Sequence, residues 1–336
     1  MEEAEKKVSV IIPVYNAAET IRQTVDSIIN QTWQNWEIIL VNDGSTDKSL
    51  EICRALESEN KNIRVLDKEN GGVVSAYKKG IENATGSLVS FCDADDTYKP
   101  DFLERGIKLL KKKDCDFVSF ACTLTDGDKS NLEQNAAPEG FYDKERIRKE
   151  ILPHCLFNDF IAGSYYKVHV YRWNKLYKKE LLDRFIKELD EKCFQIEDNI
   201  FTTLAVLHAD SFYIDNTSVY NYMLRPQSIT TKVSENLIDK YTYSLSVLKG
   251  LQKKYLADTN PKQFNFLAWE NYRIVFRKIA KEADFKTAKK ALVKIRQSGY
   301  IDCIRWKEIK LLKNYLFYIF YKSKMDFLLY LSFKIL

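Results

Sequence analysis

After a short polar start the chain runs Val8-Ser9-Val10-Ile11-Ile12-Pro13-Val14, a β-branched block too short for a buried helix, so a central strand is predicted there. Ile21, Val25, Ile28 and Ile29 then recur at helical spacing up to Gln31. They follow Asn16 and Glu19, whose separation matches a capping box. The alternation returns three times. Trp36 to Val41 reads as a strand, Asp43-Gly44-Ser45-Thr46-Asp47 as turn and cap, and about Lys48 to Leu56 as a helix. Ile63 to Leu66 and Val73 to Glu82 form the third copy, and Leu88 to Cys92 with a Pro100-started helix to Lys112 the fourth. Phe117 to Phe120 offers a fifth strand. Strands alternating with helices predict an α/β fold: a mostly parallel sheet with right-handed crossovers and helices on both faces.

Residues 121–140 are polar and turn-rich and read as a loop; from about 142 the pattern is irregular and aromatic, and beyond Asn236 it is helical almost throughout. With 336 residues, 45% hydrophobic and 29% charged, the chain can bury a full core. The expected division is 1–235 as the main domain, in halves 1–120 and 121–235, and 236–336 as a helical, basic and aromatic C-terminal domain. The net charge of +5 hides an asymmetry, because residues 249–336 hold 20 Lys/Arg against 7 Asp/Glu, a local +13. Seven scattered cysteines with no Cys-x-x-Cys pair indicate neither a zinc site nor a disulfide framework. The start of the chain carries no secretion signal, so a cytoplasmic protein is expected.

In an open parallel sheet, ligands bind beyond the carboxyl ends of the strands. Here those ends read Pro13-Val14-Tyr15-Asn16, Asn42-Asp43-Gly44-Ser45, Asn70-Gly71-Gly72 and Asp93-Ala94-Asp95-Asp96. Three carboxylates in four residues repel one another unless a cation or hydrogen bonds compensate them, and a divalent ion held by hard oxygen ligands, Mg²⁺ or Mn²⁺, is the simplest compensation. A solvated acidic turn is the plainer alternative. No Gly-x-x-x-x-Gly-Lys-Ser/Thr loop is present and no Gly-x-Gly-x-x-Gly follows the first strand, which argues against a P-loop NTPase and a dinucleotide oxidoreductase. Glu197-Asp198 opens an apolar helix, where Asp198 is a candidate N-cap.

The four strand-end stretches, in that order, resemble the family-2 glycosyltransferases of GT-A, nucleotide-diphospho-sugar transferase fold, of the type found in bacterial polysaccharide and capsule biosynthesis. Trp173-Asn174-Lys175-Leu176-Tyr177, Glu197-Asp198 and Tyr222-Met223-Leu224-Arg225-Pro226-Gln227-Ser228 extend the resemblance over about residues 7–231. It implies a Rossmann-like half that binds a UDP-sugar. Pro13, Tyr15, Asn16, Asp43 and Asn70 then surround the nucleotide, with Asp43 accepting the uracil N3–H. Asp93 lies near the ribose or sugar and shares with Asp95 the Mn²⁺ or Mg²⁺ on the diphosphate, and Arg225 and Ser228 close a loop over it. Asp198, beside Glu197, is the base that takes the proton of the acceptor hydroxyl in a single inverting displacement. Many relatives carry Arg-Asn where this chain has Tyr77-Lys78; Lys78 is the replacement cation, and the donor sugar stays open.

Residues 307–336 interleave aromatics with lysines, and their longest apolar run, Phe327 to Phe333, is far short of the about 20 residues of a spanning helix. Basic amphipathic helices of this kind suit an anionic membrane surface, which places the protein at the inner face of the cell membrane with a glycan or lipid-linked acceptor. The alternative packs them on the main domain or at a homodimer interface. Nucleic-acid binding is not expected, since no recognition module is present. Two rivals remain: a haloacid-dehalogenase-type phosphatase with Asp93 as nucleophile, on the likeness of Asp93-Ala94-Asp95-Asp96-Thr97 to Asp-x-Asp-x-Thr, and a non-catalytic sugar-nucleotide-binding protein.

Overall fold

A computed structural model of the chain describes residues 6–127, 129–156, 167–224, 236–258, 262–305 and 312–335. The apolar runs become the centre of one sheet: β1 (Val8–Val14), β2 (Trp36–Asp43), β3 (Ile63–Lys68) and β4 (Leu88–Phe91) lie in the order β3-β2-β1-β4, all parallel. Every residue of β2 and β4 is buried, which is why these strands show no alternation. Between them run α1 (Ile21–Ile29), α2 (Ser49–Glu59), α3 (Val73–Asn83) and, after β4, α4 (Phe102–Lys113). The glutamate inside β2 is compensated. Glu37 accepts from Ser9 Oγ (2.6 Å) and from the N–H and Oγ1 of Thr85 (2.8 Å each), and pairs with Lys7 at 3.2 Å.

The other half of the sheet is mixed. After β5 (Thr97–Tyr98) come β6 (Phe117–Asp126), β7 (Lys129–Glu133), β8 (Gly140–Asp143), β9 (Lys175–Lys178) and β10 (Ser211–Met223), joined by α5 (Lys144–Arg146), α6 (Lys179–Phe185) and α7 (Glu197–His208). The full order is β3-β2-β1-β4-β9-β6-β10-β5, with β7 on β6 and β8 on β10. β9 enters antiparallel between β4 and β6, so parallel pairing ends at β4, and β10 then pairs parallel with β6. Two local expectations are corrected. Residues 121–140 are not a loop, because β6 continues to Asp126 and turns into β7 as an antiparallel hairpin. Asn16 does not cap α1, whose first turn follows Thr20; its side chain is drawn instead to the turn after β2.

The chain divides into two compact units. The first comprises Met1–Ile151, Val168–Glu191 and Asp198–Pro226, the second Leu152–Lys167, Lys192–Glu197 and Gln227–Leu336. In the second, α8 (Leu237–Tyr255), α9 (Gln263–Glu282), α10 (Phe285–Ser298), α11 (Leu312–Lys322) and α12 (Asp326–Ile335) pack around buried aromatics. Trp269 of α9 meets Phe317 of α11 edge-on at 4.8 Å, and Phe276 meets Phe333 of α12 at 6.0 Å. Phe317, Tyr321 and Phe333 therefore serve as core of this helical unit. Among the described residues no helix is long and apolar enough to cross a membrane.

Candidate active site

The loops at the carboxyl ends of β1, β2 and β3 are laced together by short polar side chains. Asn16, at φ 51°, accepts on Oδ1 from the Thr46 N–H (2.8 Å), and its own N–H donates to Ser45 Oγ (3.1 Å). The N–H groups of Ala17 and Ala18 donate to Ser49 Oγ (2.8 Å) and Asp47 Oδ2 (3.1 Å). Gly44 has φ +68°, and a Cβ there would lie 2.7 Å from the backbone nitrogen of Asn70, so only glycine lets the β2 turn approach the turn after β3 so closely.

Asp43, 4% exposed, ends β2 inside this lacework. Its Oδ1 accepts from the Gly71 N–H (2.9 Å) and from Lys68 Nζ (2.6 Å), its register neighbour on β3, and its Oδ2 accepts from the Gly72 N–H (2.8 Å). Asn70 Nδ2 donates to the Asp43 carbonyl at 2.9 Å. A carboxylate offers about four acceptor directions, and three are taken among the described residues, two on Oδ1 and one on Oδ2. Pro13 is partly buried and Tyr15 is 38% exposed.

The acidic turn after β4 is held by α1. Thr20 Oγ1 donates to the Ala94 carbonyl and Thr24 Oγ1 to that of Asp96, both at 2.8 Å, and the turn closes through the Asp96 N–H to the Asp93 carbonyl at 3.1 Å. Its three carboxylates meet three different fates. Asp96 is fully buried and accepts from Tyr220 Oη (2.8 Å) and the Met223 N–H (2.9 Å) of β10. Burial first, then the neighbouring charges of Asp93 and Asp95, push its carboxyl above the usual range. Asp93 pairs with Arg172, while Asp95 is half-buried. Burial raises the Asp93 carboxyl, Arg172 opposes the rise, and Asp198 and Asp95 add to it.

Arg172 was not foreseen from the sequence. It is 3% exposed, and its two terminal nitrogens fork between Asp93 and Asp198, one on each carboxylate. The segment that presents it is fixed from below by Lys175, which is fully buried and donates to the carbonyls of His169 (2.7 Å) and Tyr171 and to Asn174 Oδ1 (2.8 Å). Burial pushes this ammonium down to about 7, with the charge of Asp198 opposing the shift. Trp173 stacks on Tyr171 at 4.5 Å and on Tyr220 at 4.1 Å, so the residue after Arg172 is also immobilised. Asp198 lies in the first turn of α7 and spends its carboxylate on Arg172, which corrects its reading as an N-cap.

The sequence profile described as Glycosyl transferase family 2 matches residues 9–186. The chain belongs to that family. Glycosyltransferase GlyA of Streptococcus pneumoniae serotype 4 (strain ATCC BAA-334 / TIGR4) is 28% identical over 249 residues, 73% of this chain and 35% of that protein. Chondroitin synthase of Pasteurella multocida (strain Pm70) is 29% identical over 286 residues, 82% of this chain and 28% of its own length. The chain thus spans about a third of GlyA and less of the synthase. Among solved structures, S. aureus TarS 1-349 in complex with UDP is similar with a TM-score of 0.64 at 18% identity, covering 98% of this chain and 90% of that one. The GT-A arrangement of sheet and flanking helices, followed by helices, is shared with that fold.

Within this family member, the structure brings Asp43, Asn70 and Asn16 into one loop cluster, and Asp93 and Asp198 onto one guanidinium. Lys78 is directed elsewhere, to Glu191 at 2.8 Å and the Leu189 carbonyl at 3.2 Å. Glu197 opens α7. Arg225 and Ser228 lie outside the described residues. Among the described residues, no three His, Cys, Asp or Glu side chains converge to hold a metal. Asp95 fits the other arrangement, in which one carboxylate and water share an ion with substrate phosphates.

Proposed function

We propose that the chain transfers a sugar from a UDP-sugar to an acceptor hydroxyl with inversion, in a reaction that depends on Mn²⁺ or Mg²⁺. The observation that carries this reading is the Arg172 fork, which holds a donor-side carboxylate, Asp93, and the candidate base, Asp198, on a single guanidinium. Residues 1–235 act as the catalytic domain and 236–336 as an appended helical one. The Asp43 carboxylate takes the uracil N3–H, with Pro13, Tyr15, Asn16 and Asn70 around the nucleoside. The acceptor hydroxyl gives its proton to Asp198 as its oxygen bonds to the anomeric carbon, and the bond from that carbon to the diphosphate breaks with its electron pair leaving on UDP. Glu197 supports the base, and Arg225 and Ser228 contact the diphosphate. Asp95, with Asp93 beside it, would hold the divalent ion, which would supply charge neutralisation for the leaving diphosphate.

TarS structures solved with UDP and UDP-GlcNAc support a uridine donor for this fold, and the chondroitin synthase relative supports a glycan acceptor, either a lipid-linked glycan or a growing cell-surface polysaccharide such as a capsule. Such an acceptor fits a protein held at the cytoplasmic face of the membrane, as a monomer or homodimer. Family membership leaves no place for the phosphatase alternative, whose Asp93 nucleophile is moreover engaged by Arg172. The test is UDP release from a panel of UDP-sugars with and without Mn²⁺, for wild type, Asp95→Ala and Asp198→Asn. Metal-dependent release with one donor, lost in both variants, is expected. UDP binding without turnover on any donor and acceptor would sink the transferase reading in favour of a sugar-nucleotide-binding protein.

A further inference from the structure

The second unit leaves apolar surface uncovered in one stretch. Of eleven large apolar side chains exposed among the described residues, five fall within 316–328: Leu316 and Ile319 on α11, Met325 in the turn, and Phe327 and Leu328 at the start of α12. Phe327 is 53% and Leu328 46% exposed. Phe285, Lys289, Lys324, Met325, Phe327 and Leu328 line an open hollow of about 380 Å³. Its one acidic wall residue, Asp326, is already paired with Arg296 at 3.1 Å, and Asp284, at the adjoining end of α10, caps that helix through the Thr287 N–H at 2.8 Å. The lysine charge of the hollow therefore stands uncompensated by these neighbours, within a segment, 249–336, whose balance is +13.

An apolar wedge by itself fits many partners, but the lysines select among them. A second copy of the chain would bring its own +13 segment against this one, and like charges oppose that docking. A neutral apolar protein leaves the lysines desolvated and unpaired. A layer that is anionic above and hydrocarbon below satisfies both parts. We propose that the α11–α12 turn, with Lys289 of α10, is a docking surface for an anionic phospholipid bilayer: Met325, Phe327 and Leu328 enter the acyl boundary while Lys289 and Lys324 meet lipid phosphates. The inference rests on and deepens the membrane placement proposed above by naming the surface; because it concerns only the second unit and needs no turnover, its failure leaves the transferase reading standing.

The test is flotation of the full chain with vesicles, in the absence of any sugar nucleotide. One set is phosphatidylcholine alone and the other carries about a third phosphatidylglycerol. Binding only to the anionic set, weakening with salt, is expected. Lys289→Ala with Lys324→Ala lowers the partition roughly 30-fold, on about a fivefold contribution per lysine near the surface. Phe327→Ser with Leu328→Ser lowers it as well; unfolding curves of the lysine variant overlay wild type because both lysines are exposed, and the serine variant, which loses the ring contact of Phe327 with Phe285, is assayed at a temperature where its unfolding curve shows it folded. Equal binding to both vesicle types, no binding, or binding indifferent to both variants overturns the proposal. So does a solution dimer that Phe327→Ser dissociates while vesicles are ignored, which would assign the surface to a second copy.

Discussion

Replacing Arg172 by methionine removes the one cation that, among the described residues, pairs with both Asp93 and Asp198. Methionine nearly fills the volume but leaves the two carboxylates, with Asp95 near Asp93, without the guanidinium between them; the buried Lys175 offsets part of the charge of Asp198. Deleting one member of a buried ion pair costs about 3–5 kcal/mol. The arginine side chain is 4% exposed but Asp93 and Asp198 keep 28% and 23%, so water screens part of the loss. The expectation falls to about 2–4 kcal/mol, a drop of roughly 5–15 °C in the unfolding midpoint for a unit of this size. The sign of the pH dependence follows from the cause: protonating Asp93, whose carboxyl is already raised by burial, relieves the repulsion, so the deficit shrinks as pH falls. Scanning calorimetry or denaturant unfolding of wild type, Arg172→Met and Arg172→Met/Asp93→Asn reads all of this, the double variant recovering part of the loss. Arg172→Lys should be intermediate, because a point cation cannot fork across both carboxylates. A midpoint for Arg172→Met within about 1 °C of wild type at neutral pH, or a deficit that does not change with pH, would refute the clamp.

Two further outcomes are expected. Gly44→Ala places a methyl 2.7 Å from the Asn70 nitrogen at φ +68°, whereas Gly72→Ala at φ +87° meets nothing within 4 Å. Titration calorimetry should therefore show UDP binding weakened more by Gly44→Ala, where a clash adds to strain of at least about 2 kcal/mol, while Gly72→Ala, at φ 87° and ψ 165°, costs about 1–3 kcal/mol of unfolding free energy from backbone strain alone. For Glu37, burial works to raise the carboxyl, but the bonds from Ser9 and Thr85 with Lys7 win and hold it down at about 2. A depressed folded pKa means that the unfolded chain binds more protons as pH falls, so the stabilisation, on the order of 3 kcal/mol, is full above about pH 4.5 and lost towards 2. Glu37→Gln should thus be destabilised at pH 7 and converge on wild type in acid unfolding curves; a constant gap would show that the effect is packing alone.

What was legible in the sequence was local or repeated. The Val/Ile runs of β1, β2 and β4 are buried on both faces and could be read without partners, and the polar residues that follow them mark the ligand edge. What was missed depends on contacts distant in sequence. Arg172 meets carboxylates 79 and 26 residues away, and nothing near position 172 announces it except the Trp173-Asn174-Lys175 stretch that fixes its backbone. The strand Lys129–Glu133 is nearly all exposed, with Leu132 57% exposed, so it has no buried face to impose a period of two. Asn16 has the spacing of a cap, yet its side chain answers the stronger need of an unpaired N–H at Thr46 across the cleft between two loops. The acidic turn was read correctly as needing compensation, but much of it comes from Arg172, Tyr220 and the Met223 N–H.

The short strand β4 also carries a consequence for how such proteins diversify. It is bonded in parallel to β1 on one side and antiparallel to β9 on the other, through Leu88–Lys178, Val89–Tyr177 and Ser90–Leu176. Strands β1 to β3 pair among themselves and with β4, so among the described residues β4 is their only strand-pairing link to the remaining strands. Exchange of the segment from β6 to β10 would break a single line of backbone pairing, while its side chains also meet the first strands and their helices. A designer of chimaeras must keep, besides the three β4–β9 pairings, the side-chain contacts that cross the same boundary, among them Tyr220 donating to Asp96, Arg172 spanning Asp93 and Asp198, Arg105 on Asp215 and the ring contact of Phe91 with Phe201.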